Sequence, residues 1–160
     1  MSRQVLSRQA FERERELNAW VNLLRAHAAL TRGLSAGLVN THGLTINDYE
    51  VLLHLWREPE HRLRRVDLAD RLLLTASGIT RLLDGLERAG YVCKARCDND
   101  ARVTYAVLTD AGAAKLEEAS ATHLREIRKV FGDRFDEDEL ETLAGLLARL
   151  PSDPAACTER

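Results

Sequence analysis

Apolar residues recur every three to four positions through most of this chain, the period of an amphipathic helix. Phe11, Leu17, Trp20, Val21, Leu24 and Ala28 keep that spacing over residues 8–31. Gly33 and Gly37 weaken the pattern, and Thr41-His42-Gly43 ends it. Thr45 opens a second helix. With Asp48 it approximates a capping box, and Leu44 and Tyr49 are placed as a hydrophobic staple. The stripe of this helix is Tyr49, Leu52, Leu53 and Trp56, and Pro59 stops it. The next segment, HRLRRV at 61–66, is too short for a helix and reads as a small strand.

Residues 68–86, LADRLLLTASGITRLLDGL, predict two short helices around a turn. The first buries Val66, Leu68, Ala69, Leu72 and Leu73, the second Ile79, Leu82, Leu83 and Leu86. Thr75, Ala76, Ser77 and Gly78 lie at the junction, where a helix N-cap is expected. This is a helix-turn-helix layout, which offers its second helix to the DNA major groove. The face opposite the apolar stripe carries Ser77, Thr80, Arg81 and Asp84. Serine, threonine and arginine can reach phosphates and base edges, while Asp84 suits the orientation of an arginine.

Gly90 is placed to stop the second helix. YVCKAR and RVTYAVL then have strand character, with the turn signal Asp98-Asn99-Asp100 between them. A hairpin in this position is a wing. Arg102 stands near its tip beside Asp98 and Asp100, suited to a minor groove with the acids orienting it. Arg62, Arg64, Arg65, Lys94 and Arg96 are candidates for phosphate contact. Thr109 caps a further helix with Leu116, Ala119, Leu124, Ile127 and Val130 on its stripe. Asp136 with Glu139 and Phe135 with Leu140 begin a last one, in which Leu140, Leu143, Leu147 and Leu150 keep an a/d-like spacing up to Pro151. The predicted fold is mainly α with a small β-wing. One domain spans 1–160, with a winged helix-turn-helix core at 45–108, helices at 8–43 and 109–150 around it, and a loose tail at 151–160. The apolar stripe of the first helix exceeds what a small core needs, so packing against another subunit is expected.

The chain is long enough for one sizeable core, at 160 residues, and its 45% hydrophobic and 30% charged residues suit a soluble globular protein. No apolar run approaches the roughly 20 residues that span a bilayer, and the N-terminal stretch lacks a signal peptide's apolar segment. A cytoplasmic location without membrane contact is expected. The net charge of −2 does not by itself suggest a nucleic-acid binder, but its distribution does. Residues 61–108 hold nine basic against six acidic side chains, whereas residues 109–160 hold seven against twelve. The basic segment is the one that contains the helix-turn-helix.

Cys93, Cys97 and Cys157 are an odd set without a disulfide-framework pattern. Cys93 and Cys97 share strand parity, yet four strand residues separate them by roughly 13 Å, too far for a bond. They read as incidental. The adjacent Lys94 and Arg96, which lower a thiol pKa, keep a cysteine redox sensor as an alternative. His27, His42, His54, His61 and His123 form no metal-ligand spacing, and there is no glycine-rich phosphate loop or nucleophile motif. No metal, cofactor or catalytic residue is expected.

In order of elements and in residues, the chain resembles the MarR (multiple antibiotic resistance regulator) family of transcription factors over roughly residues 10–150. The most specific parts are LADRLLLTASGITRLLDGLERAGYV at 68–92 and DNDARVTYAVLTDAG at 98–112. The family's wing has an Asp-Arg-Arg run six residues before a Leu-Thr pair. Asp100, Arg102 and Leu108-Thr109 keep that register, and Ala101 stands where the first arginine would be. The resemblance implies a homodimer paired through the first and the last two helices. It also implies a palindromic operator with half-sites about one helical turn apart, and repression relieved by a small, often aromatic ligand held between the dimer region and the winged part. DNA contacts are accordingly expected from Ser77, Thr80 and Arg81, from Lys94 and Arg96, and from Asp100 and Arg102.

For the effector, Trp20 and His27 on the first helix, Tyr49 and Trp56 on the second, and Arg65 and Asp67 before the motif offer aromatic walls and a cation, suited to an aromatic or anionic molecule. Trp20, Arg65 and Asp67 loosely resemble the set used by urate-binding members of the family. The plainer reading makes Trp20, Tyr49 and Trp56 ordinary core residues. The competing function is a helical dimer that binds a ligand or a protein and has lost tight DNA binding.

Overall fold

The computed structural model describes residues 15–96 and 104–150. These fall into two compact units, residues 1–123 and 124–160, each described by itself. The first holds α1 (Arg15–His42), α2 (Ile46–Arg57), β1 (Arg62–Arg64), α3 (Arg65–Arg71), α4 (Ala76–Arg88), β2 (Val92–Arg96), β3 (Thr104–Leu108) and the start of α5 (Asp110–Gly132). The second holds the end of α5 and then α6 (Glu137–Leu147). The order is that of a winged helix-turn-helix. The tail at 151–160 and the hairpin tip at 97–103 lie outside the described residues.

Helix α1 runs unbroken for 28 residues through Gly33 and Gly37. A mid-helix glycine costs roughly 1 kcal/mol, but here the same stretch is held by tertiary contacts. Leu38 is fully buried, and the Ile46 backbone N–H donates to Ser35 Oγ at 3.3 Å. The helix ends at Gly43, whose φ of +69° is the left-handed conformation glycine adopts freely. The capping box on α2 forms as the sequence predicts: Asp48 N–H donates to Thr45 Oγ1 (3.2 Å) and Thr45 N–H to Asp48 Oδ2 (2.8 Å). Leu44 and Tyr49, the predicted staple pair, are both buried in the core.

That core is one apolar cluster. Val51, Leu52 and Leu55 of α2 lie in it with Leu68 of α3, Ile79 and Leu83 of α4, and Leu116 of α5. The hairpin gains a third strand, for the sheet is antiparallel with order β1-β3-β2. Leu63 pairs with Ala106, and Val92 with Leu108. Leu63 is buried between exposed Arg62 and Arg64, the alternation of a strand with one dry face.

The turn between α3 and α4 differs from the expectation. Val66 and Leu73 do not lie on a buried stripe; they are 55% and 77% exposed. Helix α3 is only seven residues long and stops at Arg71. Leu73 N–H then donates to Asp70 O (3.2 Å) and Leu74 N–H to Ala69 O (2.9 Å), a Schellman closure with Leu73 in the left-handed position at φ +53°. Helix α4 closes in the same way, with Gly90 N–H on Glu87 O and Tyr91 N–H on Leu86 O, each 2.9 Å, but there the left-handed residue is glycine. A leucine in that conformation costs roughly 1–2 kcal/mol. The exposed side chain of Leu73 offers little packing in return. Leu73→Gly is expected to stabilise the protein by about 0.5–1 kcal/mol once glycine's own chain entropy is subtracted. A denaturation midpoint that stays or falls would contradict the strain.

In the second unit, Asp136 caps α6 as predicted. Glu139 N–H donates to Asp136 Oδ1 at 2.8 Å, and Asp136 N–H to Glu139 Oε2 at 3.1 Å. Leu146, Leu147 and Leu150 are exposed. Among the described residues no helix is long and apolar enough to cross a membrane.

Candidate nucleic-acid interface

Helix α4 is fixed by its ends and its dry side. Thr75 accepts from Gly78 N–H at 3.1 Å and starts the helix. Ile79, Leu83 and Leu86 are buried, so Ser77, Thr80, Arg81 and Asp84 fall on the other side. Arg81 is exposed, and no ion pair or hydrogen bond to its guanidinium is found among the described residues. Thr80 is partly engaged: its hydroxyl donates to Ala76 O (2.7 Å) and accepts from Arg65 Nη1 (3.3 Å). Ser77 Oγ lies 3.2 Å from Thr75 Oγ1. The predicted recognition face is therefore open, with an arginine in its middle.

The sheet stands directly behind this helix. Thr109 links the base of the hairpin to α5: its hydroxyl donates to Gly90 O (2.7 Å) and accepts from Gly112 N–H (3.0 Å). Thr109 N–H donates to Tyr91 O at 3.1 Å. Gly112 sits so close to the residue before β2 that a Cβ on it would be 2.1 Å from Tyr91 O.

Lys94 and Asp84 meet each other. Lys94 Nζ is 2.6 Å from Asp84 Oδ1 and 2.7 Å from Glu87 Oε2, so the lysine of β2 faces two carboxylates of α4. Asp84 meets this lysine, not an arginine. The hydrogen bond from Lys94 holds the Asp84 carboxyl below its ordinary range, and the Asp84 and Glu87 carboxylates raise the pKa of Lys94. Glu87 was not singled out from the sequence; its place one turn beyond Asp84 is the signal that a lysine could bridge both. Asp100, Arg102 and Cys97 lie outside the described residues, as does the side chain of Arg96. Cys93 is exposed on β2.

The other arginines are divided between structure and solvent. Arg64 grips Asp67 with both ends, Nε to Oδ2 at 2.7 Å and Nη2 to Oδ1 at 2.6 Å. That hydrogen bonding lowers the Asp67 pKa and raises that of Arg64. Arg71 Nη1 binds Glu58 Oε1 at 2.7 Å and ties α3 to the end of α2. Arg62 pairs with Glu60 and lies over the Tyr105 ring at 5.0 Å. Of these, Arg65 is the cation nearest the recognition face, through Thr80.

The six effector candidates are distributed. Trp56 is 54% exposed and Trp20 56%, so neither is ordinary core, whereas Tyr49 is buried and is. The Tyr49 hydroxyl lies 3.1 Å from Ser120 Oγ, and its ring 4.8 Å from that of buried His123. Trp56 lines a cavity of about 570 Å³ with Leu53, Leu116, Glu117 and Ser120. Arg65 lines a different, smaller one of about 160 Å³ with Thr80, Lys94 and Tyr105. Asp67 is taken up by Arg64, and His27 is exposed on α1.

The family model described as MarR family matches residues 42–103, the span from the end of α1 into the hairpin. The HTH-type transcriptional repressor YetL of Bacillus subtilis is 31% identical over 138 residues, which cover 84% of this chain and 77% of YetL. The HTH-type transcriptional regulator MhqR of the same organism is 26% identical, covering 86% and 92%. Among solved structures, Sco3205 from Streptomyces coelicolor, described as a MarR family transcriptional regulator in complex with DNA, superposes with a TM-score of 0.75 at 26% identity, covering 87% of this chain and 94% of that one.

Proposed function

The chain belongs to the MarR family of DNA-binding transcriptional regulators, and from that premise we propose that it acts as a homodimeric repressor of a palindromic operator, released by a small aromatic or anionic ligand. The observation that carries the DNA-contacting part is the face of α4: its apolar side is buried, and Ser77, Thr80 and Arg81, which is unpaired among the described residues, lie on the other side. Arg81 reads a base edge, and Thr80 and Ser77 serve phosphates or bases near the start of the helix. Arg102 and Asp100 serve the minor groove in this reading, and Arg96 the phosphate backbone. The protein works in the cytoplasm.

Dimerisation is supported by the apolar side chains left open in each unit, Trp20 and Leu24 on α1 and Leu146, Leu147 and Leu150 at the C-terminal end. A single recognition helix reads only a few base pairs, so pairing two at a fixed distance supplies the specificity. For the ligand, the cavity beside Trp56 has the volume usual for small-molecule sites and a mixed lining of Leu53, Leu116, Glu117 and Ser120.

A gel-shift titration on the DNA upstream of the protein's own gene tests this reading. Binding is expected there and not on a scrambled duplex, and one of a panel of phenols, aromatic acids and purines is expected to abolish it. Equal affinity for both duplexes removes the sequence-specific regulator.

A further inference from the structure

We infer that Lys94 is a positioning residue, which fixes the hairpin against the recognition helix and masks two carboxylates on it, rather than a phosphate contact. The inference rests on the DNA-binding reading above. Asp84 lies one turn beyond Thr80 and Arg81 on the same side of α4, and Glu87 one turn further. Two negative charges at the edge of a surface that must approach phosphate are a repulsive element. A single ammonium from β2 stands within 2.7 Å of both. Lys94 Nζ has three donors, of which Asp84 and Glu87 use two.

The link also spans two elements. The residues between them, Ala89 to Tyr91, turn through the left-handed Gly90. The Lys94 bridge closes that turn from the outside, while Val92 and Leu86 close it from the core. An exposed lysine–carboxylate pair contributes little to global stability. Its effect here is local: it sets where the hairpin stands relative to α4, and so where the wing meets the minor groove when Arg81 is in the major groove.

The two roles for Lys94 separate in a double-mutant cycle. The probes are the upstream duplex used above and a scrambled duplex, titrated at several salt concentrations, with wild type, Lys94→Ala, Asp84→Asn/Glu87→Gln and the triple variant. A positioning residue predicts that Lys94→Ala weakens upstream-duplex binding roughly five-fold, with the salt slope unchanged, and that the loss disappears in the Asp84→Asn/Glu87→Gln background. A phosphate contact predicts a salt slope shallower by about 0.9 and a loss that persists or grows when the carboxylates are gone; that result overturns the inference. A second readout needs no DNA. The Asp84 carboxyl, followed by NMR, should titrate below the ordinary aspartate range in wild type and return to it in Lys94→Ala. An ordinary value in wild type also overturns the inference. Absence of binding to the upstream duplex by wild type counts against the regulator, and the titration then decides the bridge by itself.

Discussion

Gly112→Ala is expected to lower folding stability by about 3 kcal/mol, at the upper end of what overpacking costs. The added Cβ would stand 2.1 Å from Tyr91 O and 2.8 Å from Leu108 Cδ1. A flexible side chain can move away; a backbone carbonyl that already accepts from Thr109 N–H cannot without opening the base of the hairpin. The relief therefore has to come from moving the first turn of α5 away from β2, which also pulls on the Thr109 hydroxyl bridge to Gly90 O. In a chain of this length the thermal midpoint should fall by roughly 6–12 °C. Protein concentration must be held fixed, because association shifts apparent stability. Gly145→Ala is the control. It also lies within a helix, near the C-terminal end of α6, with nothing within 4 Å of its Cβ position, so a helix propensity gain of up to about 1 kcal/mol is expected there. Equal effects at the two glycines would mean that the close approach at Tyr91 does not exist in solution.

Arg81→Ala is expected to weaken binding to the specific duplex roughly ten- to hundred-fold while leaving a scrambled duplex little affected. The side chain is exposed and unpaired among the described residues, so its removal should leave the thermal midpoint nearly unchanged. This combination separates a base contact from a structural residue, which would lose stability, and from a phosphate contact, which would weaken all duplexes alike. Competition binding with a library of base-substituted duplexes supplies the finer check: wild type should reject substitutions at one position per half-site that the variant accepts. Unchanged discrimination removes Arg81 from the recognition face.

Most of this fold was legible because its signals are local. Thr45 with Asp48, Asp136 with Glu139, and Thr75 before Gly78 each mark a helix start in three or four residues, and each forms the bond its spacing predicts. The hairpin strands were readable for the same reason. What local patterning missed depends on distant partners. The continuity of α1 through Gly33 and Gly37 rests on the burial of Leu38 and on the bond between Ser35 and Ile46. Leu73 has the hydrophobicity of a core residue, but α3 stops two residues before it and the left-handed turn puts it into solvent. At the site, the outward face of α4 followed from its inward face, since a helix with one dry stripe has only one other side to present. The pairing of Lys94 with Asp84 and Glu87 did not. It joins a strand to a helix across a turn whose geometry no periodicity encodes, so the basic residues of the segment looked equivalent. Among the described residues the structure pairs Arg64 with Asp67, Arg71 with Glu58, Arg62 with Glu60 and Lys94 with the two carboxylates of α4, while Arg81 stays exposed.

The order β1-β3-β2 has a consequence for assembly. The middle strand has both of its hydrogen-bonding sides occupied, so only β1 and β2 present open edges. Both are short, three and five residues, and the basic side chains Arg62, Arg64 and Lys94 on them are already held by carboxylates. Short edge strands leave little backbone for another strand to pair with, which is one way proteins discourage strand-to-strand aggregation.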